Sequence, residues 1–410
     1  MQFERLQQLV AHATESSKSS FYRKLYGLSA PFSILTPEAW QKLPFLTKEA
    51  LVSCPLRERL FMPIEHIDAI QSTSGTTGKP TFSARSYRRG LRAHLHHYDF
   101  STPLLAVSLT ARFETLYESL DRPPQVIALD PRHIAASVAV AKTAKVGSIF
   151  MYTFIARQTA AEIVAQRMNE QIRFVLLMGE TTSRSLVDFL RASFPNAVVA
   201  SSYSLTELDG PMAFACKPLT EEPKETHHAA EGFYFELIDP DSGVVLPSVE
   251  GTEGELVVSA YPEEPYAFPL IRYRTGDIVR ITQAHCHKHG QWGFSVLGRR
   301  ELDFLRIPRG MLRTDEIARV LTLQGLGDEF ELRYREPESA GDQKIVVEIS
   351  VDAPAGTDLD ALAHTIAAQL RVGPTYTYAQ GVEHGLYHPL RCVARTPSGD
   401  SAKKKKLVKM

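Results

Sequence analysis

The sequence predicts an α/β protein with a large N-terminal domain of mixed sheets and crossover helices, plus a small α+β C-terminal domain. Three observations carry this. Short apolar runs at VIALD, SIFMYTF (148–154) and RFVLLM (173–178) are separated by helix-patterned segments, as in parallel strands joined by crossover helices. FYFELIDPDSGVVLP (233–247) and GELVVSA (254–260) instead alternate, with DPDSG as a turn, and read as antiparallel strands. Beyond residue 300, EFELRYRE, KIVVEISV and a helical stretch at 358–371 form a small α+β pattern that ends in a lysine-rich tail. The domains are drawn at 1–300 and 301–410, and no internal repeat occurs.

Each remaining element has its own local reason. Residues 3–27 carry apolar side chains at helical spacing, and a second helix is expected over 47–54, where Thr47 can cap Lys48-Glu49-Ala50. TFSARSYRRGLRAHLHHYDF fits a strand edge followed by an amphipathic helix. A chain of 410 residues with 44% hydrophobic and 23% charged residues has enough apolar matter for a sizeable core. Its 46 basic and 47 acidic side chains leave a net charge of −1, so no global field recruits nucleic acid or a membrane surface. The start, MQFERLQQLVAHATESS, lacks the apolar stretch of a secretory signal, and no 18-residue apolar run occurs. Cys54, Cys216, Cys286 and Cys392 are scattered and form no disulfide framework. A soluble, cytoplasmic protein is expected.

One stretch asks for a ligand. STSGTTGKP (72–80) combines hydroxyls, glycines and one lysine, which suits close approach of backbone N–H groups to a phosphate. It is not a Walker A loop: Thr73 stands where the first glycine should be, and Pro80 follows Lys79. Alone it could equally be a turn. Four further stretches follow in order. LLMGETTS (176–183) places Gly179-Glu180 after a buried strand, where α/β sheets bind ligands. SSYSLTELDG (201–210) follows another apolar strand, IRYRTGDIVRI (271–281) flanks a Thr-Gly-Asp turn with β-formers, and LGRRELDF (297–304) sits at the domain boundary.

Together with FYRKLYG, LPFLTKEAL and the lysine tail, this series resembles the adenylate-forming superfamily of acyl-CoA synthetases, adenylation domains and luciferases, and most of all its phenylacetate–CoA ligase-like branch. The resemblance implies an AMP-forming acid–thiol ligase that joins a carboxylate to the α-phosphorus of ATP, releases pyrophosphate and passes the acyl group to a thiol, coenzyme A first among candidates. Such catalysis is chiefly positioning and charge stabilisation. By resemblance, Thr73, Ser74, Gly75, Thr76, Thr77, Gly78 and Lys79 would wrap the β- and γ-phosphates. Glu207 would hold Mg²⁺, and Thr206 would touch the α-phosphate. Ser202 and Tyr203 with Gly179-Glu180 would frame the adenine, Asp277 would accept the ribose hydroxyls, and Arg299 would reach the ribose or phosphate side. Each has a plainer reading as a helix start, a turn residue or a solvated charge.

In SAKKKKLVKM (401–410) the resemblance implies one lysine that enters the site during adenylation, and counting back from Leu407-Val408 gives Lys403. Four consecutive lysines leave the register open, and the plain alternative is a solvated basic tail. The small domain would be a mobile lid that rotates between the half-reactions. RRELDFLRIPRG is about two residues longer than the branch pattern, which leaves the hinge between Glu301 and Asp303. CKPLTEEPKETHH and HCHKHG offer Cys216, His227, Cys286 and His289 as a candidate tetrahedral Zn²⁺ set, with His287 competing and solvated histidine loops as the alternative. No glycine occurs between Gly90 and Gly147, where aryl-acid relatives carry a glycine-rich segment, so the acid stays open. The acyl acceptor could instead be a carrier protein or an amine, and a non-catalytic nucleotide-binding homologue is the third reading.

Overall fold

The computed structural model describes residues 2–15, 19–29, 32, 34, 36–67, 69–72, 82–85, 103–107, 126–129, 133–179, 182, 184–208, 210–215, 226–229, 232–261, 267–286, 291–307, 310–327, 329–335, 344–373, 375–395 and 407–410. The chain forms two compact units: Met1–Thr182 with Leu186–Val296, and 297–410 with Ser183–Ser185.

The larger unit opens with helices at Gln2–Glu15 and Phe21–Tyr26. The single helix expected over 3–27 is therefore broken. The Ser19 hydroxyl accepts the Phe21 N–H and donates to the Glu58 carbonyl, a local bonding pattern that competes with helix continuation. The Thr47 cap forms as expected, its hydroxyl accepting the Ala50 N–H at the start of the helix Lys48–Ser53.

The hairpin β1 (Ala69–Ser72) and β2 (Phe82–Arg85) frames the glycine-rich stretch. A mixed sheet of eleven strands forms the body of the fold. It contains β3 (Leu104–Val107), β4 (Val126–Leu129), β5 (Ser148–Tyr152), β6 (Phe174–Met178), β7 (Val198–Leu205), β8 (Gly210–Ala215), β9 (His227–Ala229), β10 (Phe233–Ile238), β11 (Glu253–Ala260), β12 (Tyr273–Gln283) and β13 (Gly293–Arg299). Their order is β10-β11-β12-β13-β9-β8-β7-β6-β5-β3-β4. Strands β3 to β7 pair in parallel, with crossover helices Ala156–Ala165 and Arg184–Ser193 entering β6 and β7. Beyond β7 the described pairings are antiparallel. DPDSG turns the chain from β10 to a bridge at Val245 rather than straight into β11, with Asp239 Oδ1 accepting the Asp241 and Ser242 N–H groups.

Among the described residues two large cores hold this unit, beside a small cluster of Leu60, Met62, Ala84 and Ala267. One packs Val138, Ile149, Ile163, Val175 and Leu190 between the parallel strands and their helices. The other packs the N-terminal helices on the antiparallel half. There the Tyr22 hydroxyl donates to the Pro269 carbonyl and accepts the Ile271 N–H, and burial pushes its phenol well up. These bonds fasten FYRKLYG to the segment that leads into the strand with the Thr-Gly-Asp turn.

In the smaller unit, β14 (Phe304–Ile307) and β15 (Gly310–Arg313) form a hairpin, and β16 (Phe330–Arg335) pairs antiparallel with β17 (Val346–Val351). After the helix Leu359–Gln369 and the short pair β18 (Arg371–Gly373) and β19 (Tyr376–Thr377) come β20 (Arg391–Ala394) and β21 (Leu407–Lys409). The last two add in parallel to β17 and β16. No described helix is long and apolar enough to cross a membrane.

Candidate active site

Side chains that the sequence offered for nucleotide binding gather beside the carboxyl ends of β6 and β7, where an α/β sheet leaves its binding crevice. At the end of β6, Gly179 has φ +89°, and a Cβ there would lie 2.5 Å from Cδ1 of Tyr152 at the end of β5. Only glycine lets the chain turn there with an aromatic ring against it. The neighbouring Thr153 hydroxyl donates to the Met178 carbonyl at 3.2 Å, fixing the strand end.

Strand β7 delivers Ser202 and Tyr203, and the turn beyond it delivers Thr206 and Glu207. Strand β12 delivers Tyr273 and Asp277, both buried, on either side of Gly276, where its pairing with β11 shifts register. The hydrogen bonds between the two segments run crosswise. Tyr203 donates to Asp277 Oδ2 at 2.6 Å, and Tyr273 donates to Glu207 Oε1 at 3.0 Å. The Asp277 backbone is set in turn: its N–H donates to the Thr275 hydroxyl, which donates to the Leu256 carbonyl. Gly276 N–H and the Arg274 guanidinium both donate to the Glu255 carboxylate.

Two anchors behind the site had no place in the sequence reading. Ser83 on β2 donates to the Thr206 carbonyl at 2.7 Å, joining the strand that leaves the glycine-rich stretch to the Thr206-Glu207 turn. Arg272, at φ +48° and 1% exposed, forms a two-pronged ion pair with Glu236 and donates to the carbonyls of Gln41 and Leu43. Its guanidinium also lies over the Phe45 ring, so LPFLTKEAL is clamped to the start of β12. Neither Tyr273, which is set apart from Asp277 by the irregularity at Gly276, nor Ser83 carried a signal in the sequence.

Glu207 and Thr206 are hard oxygen donors of the kind Mg²⁺ takes. Glu207 Oε2 has no partner among the described residues while Oε1 is held, so this carboxylate would fit a hard cation. Among the described residues Ser202 Oγ is buried without a hydrogen-bond partner, a group that a polar ligand would satisfy. Residues 73–79, Glu180 and Lys403 lie outside the described residues. Arg299 belongs to the smaller unit, where its N–H donates to Asp303 Oδ2 and Asp303 Oδ1 accepts from Thr314.

Of the zinc set, Cys216 and His289 also lie outside the described residues. His227 packs between Tyr203 and Phe294 and shares a 3.1 Å hydrogen bond with Ser201, the setting of a core histidine. Cys286 is buried, with its N–H on the Gln291 carbonyl. Among the described residues no three His, Cys, Asp or Glu side chains come together for a metal.

No protein-family profile matches the chain. It is 25% identical over 397 residues to a phenylacetate–coenzyme A ligase of Thermus thermophilus, covering 85% of this chain and 81% of that one. It is 27% identical over 361 residues to the enzyme of that name from Pseudomonas putida, covering 82% and 78%. Among solved structures, a 2-hydroxyisobutyryl-CoA ligase in its postadenylation state superposes with a TM-score of 0.75 at 18% identity, over 99% of this chain and 88% of that one. An acyl acid amido synthetase in complex with 2,4-DB gives 0.68 at 15% identity, over 99% and 91%. Sequence and fold agree: the chain is similar to phenylacetate–coenzyme A ligases over most of its length and shares the fold of these two solved enzymes.

Proposed function

We propose that the protein is an AMP-forming acid–thiol ligase. A carboxylate oxygen attacks the α-phosphorus of ATP, the bond to the β-phosphate oxygen breaks, and pyrophosphate leaves an acyl-adenylate. A thiol, coenzyme A in the first reading, then attacks the acyl carbon with loss of its proton, and AMP departs. The observation that carries this is the crossed pair of tyrosine–carboxylate bonds, which holds two acids of different use beside the strand ends. Asp277 takes the ribose hydroxyls, and Glu207 with Thr206 serves the phosphates through Mg²⁺, which would screen their charge. Ser202, Tyr203 and Gly179-Glu180 frame the base, residues 73–79 wrap the outer phosphates, and Arg299 serves the ribose or phosphate side. Lys403 or a neighbour offsets charge that develops during adenylation only. The larger domain, 1–300, holds the site, and 301–410 acts as its lid.

The names of the curated relatives support coenzyme A as acceptor. The likeness to an acyl acid amido synthetase keeps an amine acceptor as the second reading. Pyrophosphate release with Mg·ATP across a panel of aryl and short aliphatic acids, with and without coenzyme A, tests both. Acid-dependent release that coenzyme A accelerates supports the ligase. Acid-dependent release indifferent to it favours an amine or a carrier protein. No release with any acid, despite ATP binding, overturns both readings.

A further inference from the structure

Tyr273 does more than fill space beside Glu207. It is 2% exposed and sits at the start of β12, where a bridge to Leu46 and the clamp of Arg272 fix its backbone. Glu207 lies past the end of β7, in a turn and only partly buried. A glutamate in such a position keeps most of its rotamers, and confining it to one costs side-chain entropy. The turn is held from two sides. Ser83 takes its backbone at the Thr206 carbonyl, and Tyr273 takes its side chain at Oε1. One carboxylate oxygen is thereby committed and the other is left for a ligand.

We propose that Tyr273 is a positioning residue for the divalent cation: its phenol pre-sets the Glu207 carboxylate so that Oε2 is presented without an ordering cost when Mg·ATP arrives. This rests on the reading of Glu207 as the carboxylate that serves magnesium. It also explains the crossed arrangement. The strand that carries Asp277 for the ribose carries the phenol that sets Glu207, so one rigid element spaces the two contacts to a nucleotide.

The test is a MgCl₂ titration of ATP binding, followed by calorimetry without any acid, for the wild type, Y273F, E207Q and E207D, with thermal melts of each. Y273F removes one hydroxyl, and the half-saturating Mg²⁺ concentration should rise ~10- to 30-fold, the lower end of what one lost hydrogen bond to a charged group costs. ATP affinity without Mg²⁺ should stay within ~2-fold of wild type, because the loss is confined to the contact made through the cation, and affinity at saturating Mg²⁺ should fall by the same factor as the titration shifts. E207D keeps the charge but draws it back by one methylene, and should shift the titration similarly; adding Y273F to it should cause little further change. A structural role alone would lower the melting temperature and leave the titration in place. If E207Q shifts the titration and Y273F does not, the proposal is overturned while the site reading stands. If E207Q itself leaves it unmoved, the reading of Glu207 falls and this proposal with it.

Discussion

Tyr203 donates a 2.6 Å hydrogen bond to Asp277 across 74 residues of sequence, and both side chains are more than nine-tenths buried. An ionised carboxylate has about four acceptor sites, so this bond orients Asp277 without exhausting it. If Asp277 accepts ribose hydroxyls, D277A should weaken ATP binding and lose the preference for ATP over 2′-deoxy-ATP. Y203F should keep the preference in reduced form. Competition binding with the two nucleotides decides this, and a D277A protein that still discriminates would remove Asp277 from the ribose.

Gly179 and Tyr152 make the second prediction. G179A asks an L-residue to adopt φ +89° with an aromatic carbon 2.5 Å from its Cβ. The strained backbone alone costs about 1–3 kcal/mol. Trimming the ring, as in G179A/Y152A, should recover the steric part of the loss and leave the backbone part. Chemical denaturation of the two variants separates the contributions; equal stability in both would mean the ring was never the obstacle.

Arg272 and Glu236 predict a pH-dependent defect. Burial pushes the Glu236 carboxyl up while the Arg272 guanidinium and, less, the Trp40 side chain pull it back down, so R272M leaves the upward push opposed by Trp40 alone. A carboxyl raised in the folded state holds its proton more tightly folded than unfolded. Stability is then fully present below the unfolded value and lost as pH rises through the folded one. R272M should therefore be less destabilised at about pH 5 than at about pH 8. E236A strands a buried cation and should cost about 3–5 kcal/mol at either pH. Urea unfolding at two pH values reads both effects, and a pH-independent R272M defect would rule out Glu236 as its source.

What could be read in the sequence was what is local. The strand and helix alternation, the Thr47 cap and the DPDSG turn depend on neighbours, and each forms. The order of glycine-rich loop, Tyr-Ser-Leu-Thr-Glu and Thr-Gly-Asp carried the resemblance through which Glu207 and Asp277 were singled out. The bonds between them could not be read, because Tyr203–Asp277 and Tyr273–Glu207 span 74 and 66 residues and depend on strand order. Ser83 shows the same limit: a lone serine on a short strand gives no sign that it will hold a carbonyl 123 residues away. Arg272 inverts the usual expectation, since an arginine in a β-rich stretch reads as solvated and is instead among the most buried side chains.

The lysine run supplies the last prediction. Leu407 is buried in the core of the smaller unit and pairs in parallel with Leu332, so the chain end is anchored directly after 403–406. A lysine that acts only in adenylation should matter only there, because the charge it offsets at the α-phosphate is absent when the thiol attacks. K403A should depress acyl-adenylate formation by ~10²-fold or more, the scale of one lost electrostatic contact. Presynthesised acyl-adenylate should still be converted to thioester at close to the normal rate. Neighbouring lysines can substitute, so K404A and the pair are measured in parallel. The hinge offers the opposite case. Asp303 ties the Arg299 backbone to Thr314, and D303P would remove both bonds and fix φ, which should slow the thioester step more than adenylation. Single-turnover assays of the two half-reactions separate these effects. If replacing all four lysines left adenylation intact, the tail would be a solvated basic end, and the charge needed at the α-phosphate would have to come from elsewhere in the chain.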